Sequence, residues 1–246
     1  MIQAKDDSLI QALLNNNLDH AKTLIKKGKS FINQQNEFGL CALHVAVTKG
    51  WYDMVQLLLK NGADPNLQNE LYDEPTGFEL SQTFNAISED INTNGTLVTN
   101  DVLTEEVIRA LKDTSNRTAL HIASNSGHFE IAKLLLEHGA LVDIKDLGGC
   151  TPLHWAAVHG NVRLMKLLLD RGANVNQTDI AGSTPLHETI RHKKIEASKF
   201  LLEKGANPEL SDIFESSAVE LAKSFPPIFA LIVHYSASIS EHVTRH

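Results

Sequence analysis

The sequence lacks the features of several large classes of protein. Only two cysteines occur, Cys41 and Cys150, and two reduced thiols are typical of a cytoplasmic or nuclear protein. The amino terminus MIQAKDDSLI has no apolar core of the kind that signal peptides carry. The longest apolar run near the other end, residues 225–233, is far too short to span a bilayer. We therefore expect an intracellular protein without a membrane segment.

Motifs that carry out chemistry are also missing. The sequence contains no glycine-rich phosphate loop, no HExxH zinc motif, no nucleophile elbow and no calcium loop. The formal net charge is −8, whereas a general nucleic-acid binder needs a basic surface. We expect no catalytic residue, no cofactor, no metal and no nucleic-acid partner.

Basic residues are absent from one long stretch. Residues 61–108 contain no Lys, Arg or His but ten Asp and Glu, while the rest of the chain has 22 basic and 20 acidic residues. A charge run of this kind is either a solvated loop or an acidic arm that meets a basic surface of a partner. Both interpretations stay open.

What the sequence does contain is a repeat. Leu120, Leu153 and Leu186 are 33 residues apart, as are Gly139, Gly172 and Gly205. Each unit has the pattern T-x-L-H, then an apolar pattern of helical spacing, then Gly-Ala and an Asn or Asp turn. With TPLH at residues 151–154 and 184–187, the sequence resembles the ankyrin repeat family. The resemblance implies an all-α solenoid of stacked helix-turn-helix pairs joined by hairpin loops, and a binding scaffold.

The period divides the chain into seven units. Residues 1–36 and 214–246 lack the full signature and are predicted to be capping repeats, since the ends of a solenoid need one polar face. The ranges 37–69, 115–147, 148–180 and 181–213 are predicted to be full repeats, and 70–114 breaks the period. For 70–114 we favour a degenerate repeat with helices at about 75–88 and 104–112; the alternative is an insertion between repeats that stack directly.

Four histidines recur at the same place in the repeat: His44, His121, His154 and His187. A shared metal site would need them to converge on one point, but residues one repeat apart lie on successive units. In the family that the sequence resembles, the Thr and His of this motif hydrogen-bond within and between hairpins. We therefore interpret these histidines as residues of the fold.

The resemblance also implies where a partner binds, namely the concave face formed by hairpin tips and inner helices. Trp155 is our strongest candidate anchor, because Trp and Arg are common binding anchors. Apolar residues at predicted exposed positions favour an interaction stripe, although each tip residue can instead pack against its neighbouring hairpin. Arg191, His192, Lys193 and Lys194 form a basic patch for an acidic partner segment, or an ordinary charged loop between helices. The candidate partner-binding residues are Phe38, Leu40, Arg117, Leu147, Trp155, His159, Ile180, Arg191 and His192.

The leading functional hypothesis is a monomeric, non-enzymatic scaffold that binds a peptide or domain of another protein as an adaptor, inhibitor or assembly factor. An alternative is a bacterial effector that is exported into a host cytosol and engages a host protein there. A third hypothesis, an enzyme within 70–114, would depend on carboxylates such as Glu105 and Glu106.

Overall fold

A computed structural model describes residues 8–27, 31–36, 39–69, 116–213 and 215–243. Its helices come in pairs, each made of an inner helix, a tight turn and an outer helix. The pairs are α1 Leu9–Leu14 with α2 Leu18–Lys27; α3 Ala42–Thr48 with α4 Tyr52–Lys60; α5 Ala119–Asn125 with α6 Phe129–Glu137; α7 Pro152–His159 with α8 Val162–Asp170; α9 Pro185–Arg191 with α10 Ile195–Glu203; and α11 Ala218–Ala222 with α12 Pro226–Val243. Over these ranges the only β pairing is an isolated bridge between Ser211 and Ser217.

The pairs stack into one elongated array. Each inner helix packs on the inner helix of the next pair, and from α4 onward each outer helix packs on the next outer helix. Alanines and leucines at helical spacing fill the space between them, and Leu135, Leu168 and Leu201 are all fully buried. One hydrophobic core therefore runs along the whole stack, which confirms the predicted all-α solenoid.

The signature threonine and histidine begin the inner helices. At α7 the Thr151 N–H donates to Nδ1 of His154, 3.1 Å away, and Pro152 takes the first helical position. Because Nδ1 accepts, the proton lies on Nε2, which donates to the Ser183 carbonyl of the next repeat at 3.1 Å. Thr184 and His187 repeat this arrangement. His121 makes the corresponding bond to the Cys150 carbonyl, so these three histidines each join two successive repeats. His44 bonds instead to the Leu67 carbonyl of its own repeat. All four are buried and bonded within the protein, which confirms their interpretation as residues of the fold.

The helix pairs on either side of 70–114 stack directly on each other, α3 against α5 and α4 against α6. The Asn66 side chain donates to the Gly139 carbonyl (3.0 Å) and accepts from the Leu141 N–H (2.8 Å). Asn176 makes the same two bonds to the next repeat. The register of the array therefore continues across the break in the period.

The break itself falls at the tip of a hairpin. In the neighbouring hairpin the Asp146 N–H donates to the Cys150 carbonyl, and the Cys150 N–H returns to the Asp146 side chain. Asn69 and Arg117 make the same pair of bonds, although 48 rather than four positions separate them. The difference is 44 residues, and all of them lie between the two ends of this one hairpin.

Direct stacking does not fit a degenerate repeat placed between α3–α4 and α5–α6. It favours the insertion alternative, and we propose that 70–114 is an insertion between repeats that stack directly. The two helices predicted at about 75–88 and 104–112 lie outside the described residues.

Candidate partner-binding surface

The hairpin tips carry a row of exposed apolar side chains. Leu147 is 64% exposed and Ile180 is 76% exposed, in agreement with their predicted exposure. Ile213, which was not among the predicted residues, is 66% exposed at the equivalent position of the next hairpin. The spacing of 33 residues from Ile180 would have found it. We call Leu147, Ile180 and Ile213 the tip row.

Backbone hydrogen bonds hold neighbouring tips together. The Ile180 N–H donates to the Gly148 carbonyl at 3.1 Å, and the Ile213 N–H donates to the Ala181 carbonyl at 2.9 Å. Gly149 makes this close approach possible, because a Cβ there would lie 2.7 Å from the Ile180 nitrogen. Backbone hydrogen bonds therefore fix the spacing between neighbouring residues of the tip row.

Two predicted tip residues are not on this row. Leu40 is only 5% exposed, so its prediction as an exposed apolar residue is wrong. It lies on the returning arm of its hairpin, where its N–H donates to the Asn36 side chain and its carbonyl accepts from the Asn36 N–H. Side chains on that arm face the helices. Phe38 lies outside the described residues.

Arg117 and Trp155 belong to a cluster that joins two repeats. The Arg117 guanidinium lies 3.7 Å from the centre of the Trp155 ring, and the Trp155 Nε1–H donates to Asp146 Oδ2 at 2.9 Å. Arg117 Nε lies 3.6 Å from the same oxygen. Because Arg117 is 4% exposed, its prediction as a surface contact is wrong; it balances the buried Asp146 carboxylate. Trp155 is half-buried and its polar edge is already bonded within the protein.

The remaining predicted residues lie at or beyond the carboxyl ends of inner helices. His159 is exposed, and its Nε2 is 3.0 Å from the Asn125 side-chain oxygen of the preceding repeat. Partial burial, with smaller contributions from Lys194 and His192, lowers the pKa of His159. His159 is therefore neutral at pH 7 and offers a polar contact without charge.

Arg191 and His192 differ in how far they are available. Arg191 forms ion pairs with Glu188 at 2.6 Å and Asp212 at 2.7 Å, and about a third of its side chain is exposed. His192 is more exposed, and its Nδ1–H donates to the Glu188 carbonyl at 3.0 Å. Within the basic patch expected from the sequence, the charge of Arg191 is therefore neutralised by Glu188 and by Asp212, which lies 21 positions away in the sequence.

Among the residues that the structure describes, no group of three or more His, Cys, Asp or Glu side chains could hold a metal ion. The signature histidines are buried, but they differ in pKa: against the opposing effect of burial, Cys41 raises the pKa of His44, whereas the other three have lowered values. Burial lowers the pKa of His121 to about 4, against the opposing effect of Asp146, and it also lowers the pKa of His154 and His187.

A family model described as ankyrin repeats (3 copies) matches residues 3–69, 92–179 and 142–212. The ankyrin repeat and SOCS box protein 3 of Bos taurus is 32% identical over 137 residues, which are 53% of this chain and 23% of that protein. The human protein phosphatase 1 regulatory subunit 27 is 36% identical over 69 residues, which are 28% of this chain and 44% of that protein. The chain thus covers less than half the length of either relative.

Within the described ranges, no helix has both the length and the apolar character needed to cross a bilayer. The family model covers well over half of the chain, and the stacked helix pairs show the same architecture. The chain belongs to the ankyrin repeat family, whose repeats generally mediate protein–protein interaction.

Proposed function

We propose that this protein is a non-enzymatic scaffold that binds a peptide or domain of another protein against its concave face, as an adaptor, inhibitor or assembly factor. By the concave face we mean the hairpin tips together with the exposed carboxyl ends of the inner helices. The partner would therefore contact several repeats at once.

The main support for the proposal is that each repeat has buried residues that join it to its neighbour and exposed residues that are free to contact a partner. Residues of the T-x-L-H signature are buried and make the bonds that join repeats, as His154 does with Ser183. Residues at equivalent positions on successive tips are exposed instead, as Ile180 and Ile213 are. A surface of this regularity, with its supporting bonds buried behind it, is pre-organised for binding, which reduces the entropy lost on association.

The chemistry of the described side chains supports a role without catalysis. Burial raises the pKa of the half-buried Cys150 thiol to about 12, so its sulfur is not an activated nucleophile. Against the opposing effect of burial, His44 lowers the pKa of the Cys41 thiol, but Cys41 is only 1% exposed, which keeps its sulfur from a substrate. Glu105 and Glu106, on which the enzymatic hypothesis depends, lie outside the described residues. One relative is named as a regulatory subunit of protein phosphatase 1, which fits a chain that acts by binding.

The proposal also covers the location of the protein in the cell, a second contact surface and the oligomeric state. Both cysteines are free thiols, which favours the reducing cytoplasm or nucleus; fractionation of cells expressing the tagged protein tests this. The acidic segment 70–114 is proposed as a second contact, for a basic partner surface, and we propose that the chain is monomeric. Sedimentation equilibrium tests the last point.

Site-specific photo-cross-linking in cells tests the concave face. A photoreactive amino acid is placed at His159 on the concave face or at Lys166 on the outer helix of the same repeat, both exposed. His192 and Lys199 provide the same pair of positions one repeat further on. We expect one discrete protein adduct that forms from His159 and His192 and not from Lys166 or Lys199.

Adducts from Lys166 and Lys199 alone would place the partner on the outer helices and refute the proposal. The absence of any adduct from all four positions would also count against it. Circular dichroism of each substituted protein shows whether the fold is retained, because all four side chains are at the surface and their replacement should leave the helices intact.

A further inference from the structure

Resting on the proposed function, we infer that the tip row binds an extended segment of the partner that is apolar and carries few charges. The segment would run across the repeats, along the line that joins Leu147, Ile180 and Ile213. This assigns a chemical class to the ligand and a direction to its path.

The first support is that the row is both apolar and solvent-exposed. Three residues at the same repeat position are each between 64% and 76% exposed. A single exposed Leu or Ile is ordinary, but contiguous exposed apolar groups tend to mark binding sites. None of the three contributes to the core in its present position, so the fold does not account for the apolar residues there.

The second support is that the row is held in a fixed line. The bonds from Ile180 N–H to Gly148 and from Ile213 N–H to Ala181 set each tip against the next. A ligand that follows this line meets one apolar side chain per repeat. An extended segment suits this arrangement, because a chain that reaches all three tips must run across the repeats, and the extended backbone covers the greatest distance per residue, about 3.3 Å.

The third support is the charge around the row. Three of the four carboxylates in the described residues of these hairpins are bonded within the protein or buried. Asp179 accepts from the N–H groups of Ala181 and Ser183, both at 2.8 Å, and Asp146 and Asp212 are buried.

The nearby Lys145 ammonium donates to the Thr178 carbonyl at 2.8 Å. Glu215 is the one exposed carboxylate among the described residues of hairpins 146–150, 179–183 and 212–216. A strongly charged ligand would lose hydration against these apolar tips and gain few opposite charges there. An apolar, weakly charged segment complements this surface.

A random linear peptide library, displayed on phage and selected on the intact 246-residue chain, provides the probe. Selected peptides are synthesised, and their affinity is measured by fluorescence anisotropy. We expect peptides with several apolar residues and little net charge. Their affinity should change less than about twofold between roughly 0.05 M and 0.5 M salt, because no charge pair has to be screened.

Matched serine variants locate the binding site. Ile180→Ser should weaken binding about tenfold, since each tip loses most of the gain from burying one aliphatic side chain. Leu147→Ser should act similarly. Leu141→Ser is the control, because Leu141 is 59% exposed but lies outside the hairpins at the turn that follows α6; it should leave affinity unchanged.

Several results would overturn the inference. These are a charged consensus, peptides that bind Ile180→Ser as well as the parent protein, or no enrichment at all. If residues 70–115 themselves occupy the row, peptides will bind only after that segment is replaced; if a second copy does, the parent protein will be dimeric and Ile180→Ser monomeric. Either outcome assigns the row to a different occupant.

The two proposals can fail separately. If adducts form from His159 and His192 while Ile180→Ser leaves peptide affinity unchanged, the partner uses the concave face without the tip row. If adducts form only from outer-helix positions while peptides still require Ile180, the row binds short apolar segments but the proposed partner lies elsewhere.

Discussion

Replacing residues 70–115 by the two-residue tip Leu-Gly, the sequence found at residues 147–148, should stabilise the protein. Asn69 and Asn116 flank the segment, and the Asn116 N–H donates to the Asn69 carbonyl at 3.0 Å. In the neighbouring hairpin Asp146 and Gly149 occupy the same places and make the same bond. Asn116 already has the left-handed backbone of that glycine, with φ 57° against 75°. A two-residue tip therefore fits without a change in the flanking backbone.

The expected gain in the free energy of unfolding follows from the length of the connection between Asn69 and Asn116. The change shortens the connection from 46 residues to two, which is between four and five halvings of its length. Each halving lowers the entropic cost of closure by about 0.6 kcal/mol, so the free energy of unfolding should rise by at most roughly 3 kcal/mol. For a chain of this size, that corresponds to an increase in Tm of roughly 6–12 °C.

Urea unfolding followed by far-ultraviolet circular dichroism measures the change. The contacts across the junction, such as Asn66 with Gly139 and α4 with α6, do not involve the removed residues. The slope of the unfolding free energy against urea should therefore stay nearly constant, because it reports the surface exposed on unfolding. A Gly/Ser linker of equal length is the control, and it should leave stability unchanged because it keeps the loop length.

A loss of stability would refute the reasoning. If residues 70–115 formed a packed repeat, their removal would expose core surface, lower the slope and destabilise the protein. The equal-length linker would then be destabilising too. These two results together would restore the degenerate-repeat interpretation.

Three further predictions follow from buried groups. First, burial lowers the folded-state pKa of His121 to about 4 and also that of His154 and His187. The unfolded chain therefore binds more protons than the folded chain below pH 6.5, so the contribution of these histidines to the free energy of unfolding should be full above about pH 6.5 and fall towards pH 4, by about 3 kcal/mol for His121 alone. Urea midpoints that do not change over this range would contradict the prediction. Second, His154→Ala should lower the free energy of unfolding by about 2–4 kcal/mol, because it leaves the Thr151 N–H and the Ser183 carbonyl without a partner. As a control, replacing the exposed His159 by Ala should change it by no more than about 0.5 kcal/mol. Equal effects of the two substitutions in thermal melts would refute the assigned roles. Third, Trp155→Phe keeps a ring beneath Arg117 but loses the bond to Asp146, so it should cost about 1–2 kcal/mol in urea unfolding, and a neutral result would mean that this bond contributes nothing.

Much of the candidate surface could be predicted from the period alone. Leu147 and Ile180 are the first residues of their hairpin tips, and both are exposed as expected. Ile213 was overlooked because the last unit lacks the T-x-L-H signature and was interpreted only as a cap. The same spacing applies to it, so this residue was accessible to sequence reasoning.

Leu40 and Arg117 could not be placed in the same way. Both lie next to a tip in the sequence, but hairpin closure turns them onto the returning arm, where side chains are buried. A difference of one or two positions along the hairpin decides whether a side chain is exposed to solvent or buried in the core. That choice depends on which backbone groups pair across the hairpin, and the apolar pattern does not show this.

The sequence by itself indicated the fold and the structural role of the signature histidines, because T-x-L-H motifs at a 33-residue spacing resemble the ankyrin repeat and the family model confirms this family. Only the tertiary structure decided that the repeats stack directly across residues 70–115, since this depends on contacts between residues more than 70 positions apart, such as Asn66 with Gly139. It also decided that Trp155 and Arg117 serve a buried carboxylate while the tip row faces solvent. Such partners are set by how neighbouring units dock, and docking brings together residues that no local pattern connects.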